Sequence, residues 1–332
     1  MVMKTHTPGI SESRDLTKFR MVGILFSIAA GVWLAGCAGM ERGRTETAQP
    51  LEAGQIRVAT CQFPVSHDIR ENAEWIRRQV RAAAGKKADV VHFSECALSG
   101  YASKEWKTLA EFDYALQHHE LESILELAGE LQVWVVLGAT HRLAGTHKPH
   151  NSLYIINAKG EIVDRYDKRF CTSSDLKHYS PGNHATVFEI HGVRCAALIC
   201  YDVRFPELYR NYALQDVRML FQSFHNASMK KTAVHPIIMP ATLQAHAAMN
   251  NFFISANNSS RPEAWPSLFV TPDGLIQERL RKHRADLMVN LVDVNKKYYD
   301  ASATYRKECI QGKWNSGEAI VNDPRSDDHR SY

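Results

Sequence analysis

The segment ALICYDVRFPE, residues 197–207, carries the strongest structural signal in this 332-residue chain. Three apolar residues lead into Cys200, as in a buried strand, and Pro206 suits the first turn of a helix. Cys200 therefore falls on a sharp strand-to-helix turn, where amide groups near the helix start favour a thiolate. A lone cysteine in an apolar strand is more often a core residue than a nucleophile, so this segment alone leaves both interpretations open.

Two further strand-like segments also end in a charged side chain. Glu95 closes VVHFSE at residues 90–95, and Lys168 closes YDK at residues 166–168. Either charge alone is typical of a surface ion pair. The three segments together, with Glu95, Lys168 and Cys200 in this order, indicate a site because α/β proteins build their sites at strand ends.

Strand-like and helix-like patterns alternate outward from these segments. Helical spacing of apolar residues covers four ranges: 68–84, 116–131, 205–215 and 234–250. Strand-like patterns, several of them paired as hairpins, cover the ranges 56–63, 88–95, 133–143, 151–168, 185–202, 217–224, 250–258, 267–280 and 286–294. This mixed order predicts an α/β fold in which helices cover sheets, within one domain that has no internal linker.

The composition excludes several classes of protein. Hydrophobic residues make up 45% of the chain, charged residues 23% and aromatic residues 9%, which is close to the average for globular proteins and far from that of disordered or fibrous ones. The net charge of +4 is not gathered into a basic stripe, so nucleic acid is not an expected partner. The seven cysteines show neither CxxC pairs nor metal-ligand spacing, so we expect no metal site and no disulfide framework.

The N-terminus departs from this average composition. Lys18 and Arg20 precede an apolar run at residues 21–34, which is shorter than the roughly 20 residues of a membrane span. Basic residues, a short apolar run and small residues are the parts of a secretory signal. The sequence LAGC at residues 34–37 resembles a bacterial lipobox, in which the chain is cut before Cys37 and that cysteine receives lipid. An ordinary signal peptide or a buried apolar helix is the alternative.

These features predict four segments. Residues 1–36 form a lipoprotein-type signal peptide, 37–54 a lipid-anchored Cys37 with a flexible tether, 55–310 the folded domain and 311–332 a polar C-terminal tail. The expected location is the bacterial cell envelope, on the periplasmic or extracytoplasmic face of a lipid bilayer. An oxidising compartment threatens a free nucleophilic thiol, which conflicts with the interpretation of Cys200 as a nucleophile.

Three motifs resemble those of the nitrilase superfamily of carbon-nitrogen hydrolases. They are FSECALSGY at residues 93–101, GEIVDRYDKR at 160–169 and LICYDVRFPELYR at 198–210, and the resemblance extends over residues 56–306. It implies a four-layer α-β-β-α sandwich that forms a homodimer or a larger homo-oligomer. It also implies an enzyme with neither a metal nor an organic cofactor.

The resemblance assigns three catalytic roles, with Cys200 as nucleophile, Glu95 as general base and Lys168 as the third catalytic residue. An amide carbonyl is a poor electrophile, and a covalent thioester replaces one difficult step with two easier ones. The oxyanion formed on the way needs donors already in place, which the Lys168 ammonium and the backbone N–H of Tyr201 would supply.

Supporting roles follow from the same resemblance. The family often has a second glutamate between the lysine and the cysteine, and here the nearest acid is the shorter Asp175, whose alternative is a loop surface acid. His225 and Asn226 follow a strand where the family places substrate contacts; structural hydrogen bonding is their alternative. Asp202 and Arg204 are expected to form ion pairs behind the Cys200 turn.

The sequence after Cys200 is similar to that of the amidase and carbamoylase branches. The predicted function is therefore hydrolysis of a small linear amide or N-carbamoyl compound. One alternative is acyl transfer, in which the same thioester passes to an amine or a lipid. The other is a lipid-tethered, catalytically inactive binding protein, which Asp175 in place of glutamate and the oxidising location would favour.

Overall fold

The computed structural model describes residues 51–227 and 232–330, which form twelve strands and six α-helices. The strands are β1 Gln55–Gln62, β2 Val90–His92, β3 Trp134–His141, β4 His150–Ile156, β5 Ile162–Asp167, β6 Val187–Ile190, β7 Val193–Ile199, β8 Met219–Phe224, β9 Phe253–Asn258, β10 Leu268–Val270, β11 Ile276–Arg279 and β12 Asp286–Asp293. The helices are α1 Ile69–Gly85, α2 Tyr114–Leu131, α3 Pro206–Leu214, α4 His235–Asn250, α5 Arg306–Ile310 and α6 Pro324–Asp327. The predicted signal peptide and Cys37 lie outside the described residues.

The strands form two six-stranded mixed sheets of similar design. Their orders are β12-β1-β2-β3-β4-β5 and β11-β10-β9-β8-β7-β6. Each sheet contains three neighbouring parallel strands joined by helices, β1-α1-β2-α2-β3 in the first and β7-α3-β8-α4-β9 in the second. Antiparallel strands extend both edges. The parallel strands of each sheet therefore end at one edge, where loops can gather side chains.

The period-two alternation of the strands separates the layers. In the first sheet Val58 and Val90 pack in one cluster with the second sheet, whereas their neighbours Ala59 and Val91 pack with α1 and α2. Helices α3 and α4 pack against the second sheet. The result is the predicted α-β-β-α sandwich, which is confirmed. The four long helices each begin and end within two residues of their predicted ranges.

Strand β2 is shorter than the sequence predicts. It ends at His92, three residues before Glu95, and the chain then turns, with Cys96 at φ 52°. A Cβ atom on Gly138 in β3 would lie only 2.2 Å from the Ser94 carbonyl oxygen, so a glycine there allows this turn to pack. The Glu95 N–H donates to the Phe224 carbonyl at 3.3 Å, which ties the turn to the second sheet.

The C-terminal part of the described chain lies on the surface, unlike the strands and helices of the sandwich. Residues 311–330, within the predicted polar tail, are all exposed and include α6. Across 51–227 and 232–330, no helix combines the length and apolarity that a membrane crossing requires.

Candidate active site

Cys200 lies on the turn between β7 and α3, in a left-handed backbone conformation with φ 43°. Residues other than glycine rarely adopt this conformation, so the surrounding structure must hold it. The Asp202 carboxylate contributes, because it accepts hydrogen bonds from the Ile199 N–H at 3.0 Å and the Phe170 N–H at 2.9 Å. The Tyr166 hydroxyl donates to it at 2.8 Å. The predicted strand-to-helix turn is therefore present.

The predicted ion pair between Asp202 and Arg204 is not formed. Asp202 is fully buried and already accepts hydrogen bonds from Ile199, Phe170 and Tyr166. Arg204, in contrast, is exposed and lines a cavity. Burial raises the pKa of Asp202 to about 6, although the hydrogen bonds from Phe170 and Ile199 act in the opposite direction. Asp202 thus supports the backbone of the turn, and Arg204 faces whatever enters the cavity.

Glu95 and Lys168 meet inside the protein. Each follows the end of a strand of the first sheet, and both side chains are fully buried. Lys168 Nζ lies 2.8 Å from Glu95 Oε1 and 2.8 Å from Asp175 Oδ2. Burial alone would lower the pKa of Lys168, but Glu95, Cys200, Tyr101 and Asp175 outweigh it, so the pKa lies well above its usual value. The ammonium therefore stays charged between two carboxylates.

Asp175 occupies the place at which the sequence suggests a second acid. It lies in a short 3-10 helix and is 1% exposed, so it is not a loop surface acid. Besides Lys168, it accepts hydrogen bonds from the Tyr101 hydroxyl and the Thr172 N–H. Burial raises its pKa, but Lys168 and these donors have the larger combined effect, so the pKa of Asp175 is lowered.

The Cys200 thiol lies within the electrostatic reach of this cluster. Burial raises the pKa of the thiol, and the negative charges of Glu95 and Asp175 raise it further, while Lys168 lowers it. Asn226 Nδ2 lies 3.5 Å from Cys200 Sγ. The net result is a raised pKa, so the resting group is a thiol that needs a base before it can attack.

A cavity of about 170 Å³ opens beside Cys200. Its apolar walls include Phe224 and Met239, and its polar lining includes two exposed cations, Lys104 and Arg204. Tyr201 also lines the cavity, with 38% of the residue exposed. No aspartate or glutamate is among the described lining residues.

His225 and Asn226 both line this cavity, but their side chains are held differently. Asn226 Oδ1 accepts from Trp265 Nε1 at 3.0 Å, which directs its amide nitrogen to the Cys200 sulfur. The His225 ring is buried, with Nε2 3.1 Å from the Glu105 carboxylate and its plane stacked on Tyr101. Asn226 is thus placed to contact a reacting group, whereas the His225 side chain supports the wall.

Three buried partners of the site were not found by sequence reasoning. Asn151 donates to Glu95 at 2.8 Å, Tyr101 donates to Asp175, and Glu105 binds His225. Asn151 lies inside a predicted strand, where a polar residue is unremarkable. Tyr101 ends the FSECALSGY motif, six residues after Glu95, and its place in that motif was the one available signal.

Neither a metal cluster nor a disulfide is found in the described part of the chain. No group of three or more His, Cys, Asp or Glu side chains there is placed to hold a metal ion. All six cysteines between residues 51 and 330 are free thiols.

Comparisons with known proteins agree with the fold described above. The carbon-nitrogen hydrolase family model matches residues 57–298, and the chain belongs to this family of enzymes. It is 28% identical over 231 residues to 2-oxoglutaramate amidase of Bacillus subtilis, covering 66% of this chain and 84% of the relative. It is 25% identical over 262 residues to an omega-amidase of Xenopus tropicalis, covering 74% and 90%.

A solved structure shows a similar fold. The crystal structure of an amidase from Nesterenkonia sp. superposes with a TM-score of 0.63 at 20% identity, covering 74% of this chain and 92% of the other. At this identity the likeness supports the sandwich fold and no finer property.

Proposed function

We propose that this enzyme hydrolyses the carbon-nitrogen bond of a small linear amide through a thioester on Cys200. The observation that carries the proposal is the Glu95–Lys168–Asp175 charge cluster, buried beside a cysteine that lines a cavity. The relatives support amide hydrolysis, because both are named as amidases. N-carbamoyl compounds present a similar carbonyl and belong to the same proposal.

In the first half-reaction, Cys200 Sγ attacks the carbonyl carbon while Glu95 takes the thiol proton. The Lys168 ammonium and the Tyr201 backbone N–H stabilise the oxyanion of the tetrahedral intermediate. The intermediate collapses as the proton passes from Glu95 to the leaving nitrogen, and ammonia or an amine departs. The carbonyl carbon is then bonded to sulfur as a thioester.

In the second half-reaction, water attacks the thioester with Glu95 again as the base. The carboxylic acid leaves and the proton returns to Cys200. The Lys168 ammonium lies between the buried carboxylates of Glu95 and Asp175 and offsets the repulsion between them. Asp175, fixed by Tyr101 and Thr172, holds Lys168 in place.

We extend the proposal to the charge of the substrate. Lys104 and Arg204 line the cavity without a carboxylate partner in the described chain, and no described acid lines it. The helix α4 begins at the same cavity with His235, and a helix N-terminus favours negative charge. The preferred substrate is therefore a short amide whose far end carries a carboxylate.

Intact-protein mass spectrometry of the full chain in detergent tests this proposal. The protein is mixed briefly with succinamic acid, neutral butanamide, cationic 4-aminobutanamide and N-carbamoyl-β-alanine. We expect a transient mass increase on Cys200 with the anionic amide, and none in Cys200→Ala. Transfer of the acyl group to an added amine would indicate an acyltransferase. A thiol that reacts with iodoacetamide but with none of these compounds would favour an inactive binding protein.

We also propose that Cys37 anchors the enzyme to a lipid bilayer of the bacterial envelope, which rests on the LAGC sequence. Fractionation of cells that produce the full chain or Cys37→Ser tests this. We expect the wild type in the membrane fraction and the variant in the released fraction. Equal membrane association of both would contradict the anchor. A homodimer or larger oligomer is likewise proposed, and light scattering of the extracted protein would test it.

A further inference from the structure

The two carboxylate oxygens of Glu95 have different surroundings. Oε1 accepts two hydrogen bonds, one from Lys168 Nζ at 2.8 Å and one from Asn151 Nδ2 at 2.8 Å. Oε2 is buried and has no hydrogen-bond partner among the described residues. A buried, unpartnered carboxylate oxygen is costly, and such atoms call for an explanation.

Asn151 links both charged residues of the pair. It lies in β4, and its backbone carbonyl accepts from the Lys168 N–H at 2.8 Å while its side-chain amide holds Glu95. The amide orientation is fixed at its other end, because Cys96 Sγ lies 3.4 Å from Asn151 Oδ1. A flipped amide would turn Oδ1 towards the Glu95 carboxylate, which is unfavourable.

We propose that Asn151 is a positioning residue which, together with Lys168, holds Oε1 of Glu95 and leaves Oε2 as the oxygen that takes the Cys200 proton. The inference rests on the proposed function of Glu95 as the base. The two oxygens of the Glu95 carboxylate then have separate roles. Oε1 fixes the position of the side chain, and Oε2 accepts and releases the proton.

The proton transfer balances within the site. As the Cys200 sulfur forms its bond to the carbonyl carbon, the thiol proton moves to Oε2, and the oxyanion takes the negative charge. The same proton then leaves Oε2 for the departing nitrogen. The Asn151 amide stays a donor to Oε1 throughout, and a donor to the ionised carboxylate favours the ionised form that the next cycle requires.

The test compares Asn151→Ala and Asn151→Leu with wild type. The leucine variant retains most of the side-chain volume, so a loss shared by both variants is due to the missing donor and not to a cavity. We expect kcat to fall about 10- to 100-fold with little change in KM, since a hydrogen bond to a charged group is lost. The acidic limb of kcat/KM against pH should move to higher pH, because the variants lack the donor that Asn151 provides to the Glu95 carboxylate.

Asn290→Ala is the matched control. Asn290 is also a buried asparagine of the first sheet, in β12, and its Nδ2 has no hydrogen-bond partner in the described structure. We expect its kcat and pH profile to match those of the wild type, even if its melting temperature falls as much as that of Asn151→Ala.

Alkylation of Cys200 by iodoacetamide gives a readout that needs no substrate. If the amide panel fails with wild type, the proposed function fails, while the alkylation rates at several pH values still test Asn151. We expect slower alkylation at neutral pH in both Asn151 variants, with the rate profile moved to higher pH. Unchanged rates and an unmoved profile would overturn the inference, as would an equal change in Asn290→Ala.

Discussion

Two buried polar clusters of this molecule behave in opposite ways. The first lies between the sheets around His92, whose Nδ1 is 2.8 Å from Ser255 Oγ and whose Nε2 is 2.8 Å from Ser223 Oγ. Each serine has a further partner, Thr60 for Ser255 and the Phe93 carbonyl for Ser223. The second cluster is the candidate site, whose Glu95 follows His92 by three residues in the sequence.

The inter-sheet cluster is neutral, and it is closed in the sense that both ring nitrogens of His92 have hydrogen-bond partners within it. Burial lowers the pKa of His92 to about 3, so the imidazole carries no charge at neutral pH and both of its nitrogens are bonded. The candidate site contains charged Glu95, Lys168 and Asp175, keeps a carboxylate oxygen unpartnered and adjoins a cavity. Burial is common to both clusters. What distinguishes the site is charge, an unsatisfied atom and access to a ligand.

The largest effect is expected for Cys200→Ala. Because the thiol makes the covalent bond, amide turnover should fall by about 10⁴-fold or more. The free energy of unfolding should change by less than about 1 kcal/mol, since alanine leaves the hydrogen bonds of Asp202 intact. Amide assays and urea unfolding measure the two quantities. Turnover at the wild-type rate in Cys200→Ala would show that Cys200 is not the nucleophile.

Glu95→Gln tests the base without removing its shape. The glutamine oxygen can still accept from Lys168 and Asn151, so the variant should fold, but it cannot take the thiol proton. We expect kcat to fall about 10²- to 10⁴-fold, the range for loss of a general base. A rate within threefold of wild type would show that another group accepts the proton.

Lys168→Met removes the positive charge that distinguishes the candidate site from the neutral His92 cluster. It leaves two buried carboxylates without their cation, and removal of one partner of a buried ion pair costs about 3–5 kcal/mol. We expect the free energy of unfolding, measured with urea, to decrease by about 3–5 kcal/mol, and we expect amide turnover to be lost. Lys307→Met is the matched control, because its pair with Asp216 is exposed and worth about 0–1 kcal/mol. Equal losses in both variants would contradict the role of Lys168.

The fold could be predicted from the sequence because its strongest signals are local. Apolar spacing located the four long helices, and alternating patterns located the hairpins that border each sheet. The sequence predicts a longer strand β2 than the structure contains, since residues typical of strands continue through Phe93 while the chain itself turns. That turn depends on the space left by Gly138, a contact between residues more than forty positions apart.

The candidate site was predictable only in part, for a similar reason. Glu95, Lys168 and Cys200 end recognisable segments, so motifs suffice to suggest them. Asn151 in β4 donates a side-chain hydrogen bond to Glu95, which follows β2, and no periodicity reveals a contact between strands that are not adjacent in the sheet. The Asp202–Arg204 pairing failed because backbone N–H groups occupy the Asp202 carboxylate, and only the backbone path of the turn shows this.

The smallest effect is expected in the inter-sheet cluster. His92→Leu removes two hydrogen bonds, but each serine keeps its other partner, so the cost at pH 7.5 should be about 1–3 kcal/mol. None of the described hydrogen-bond or ring partners of His92 lines the cavity, and turnover should stay within about threefold of wild type. A loss of activity as large as that of Glu95→Gln would mean that the two clusters are coupled.

The pH dependence of this variant sharpens the comparison further. The folded-state pKa of His92, about 3, lies below its unfolded value of about 6.5, so the unfolded chain binds a proton first as the pH falls. The contribution of His92 to stability is therefore complete above about pH 6.5 and is lost towards pH 3, by up to about 1.4 kcal/mol per pH unit. The difference in free energy of unfolding between wild type and His92→Leu should shrink from pH 7.5 to pH 5 in urea unfolding.

With Asn290→Ala, which removes no titratable group, the difference in free energy of unfolding from wild type should stay constant. A difference for His92→Leu that is equally constant would show that the imidazole takes up a proton in the folded protein as readily as in the unfolded chain, and that this cluster is not closed.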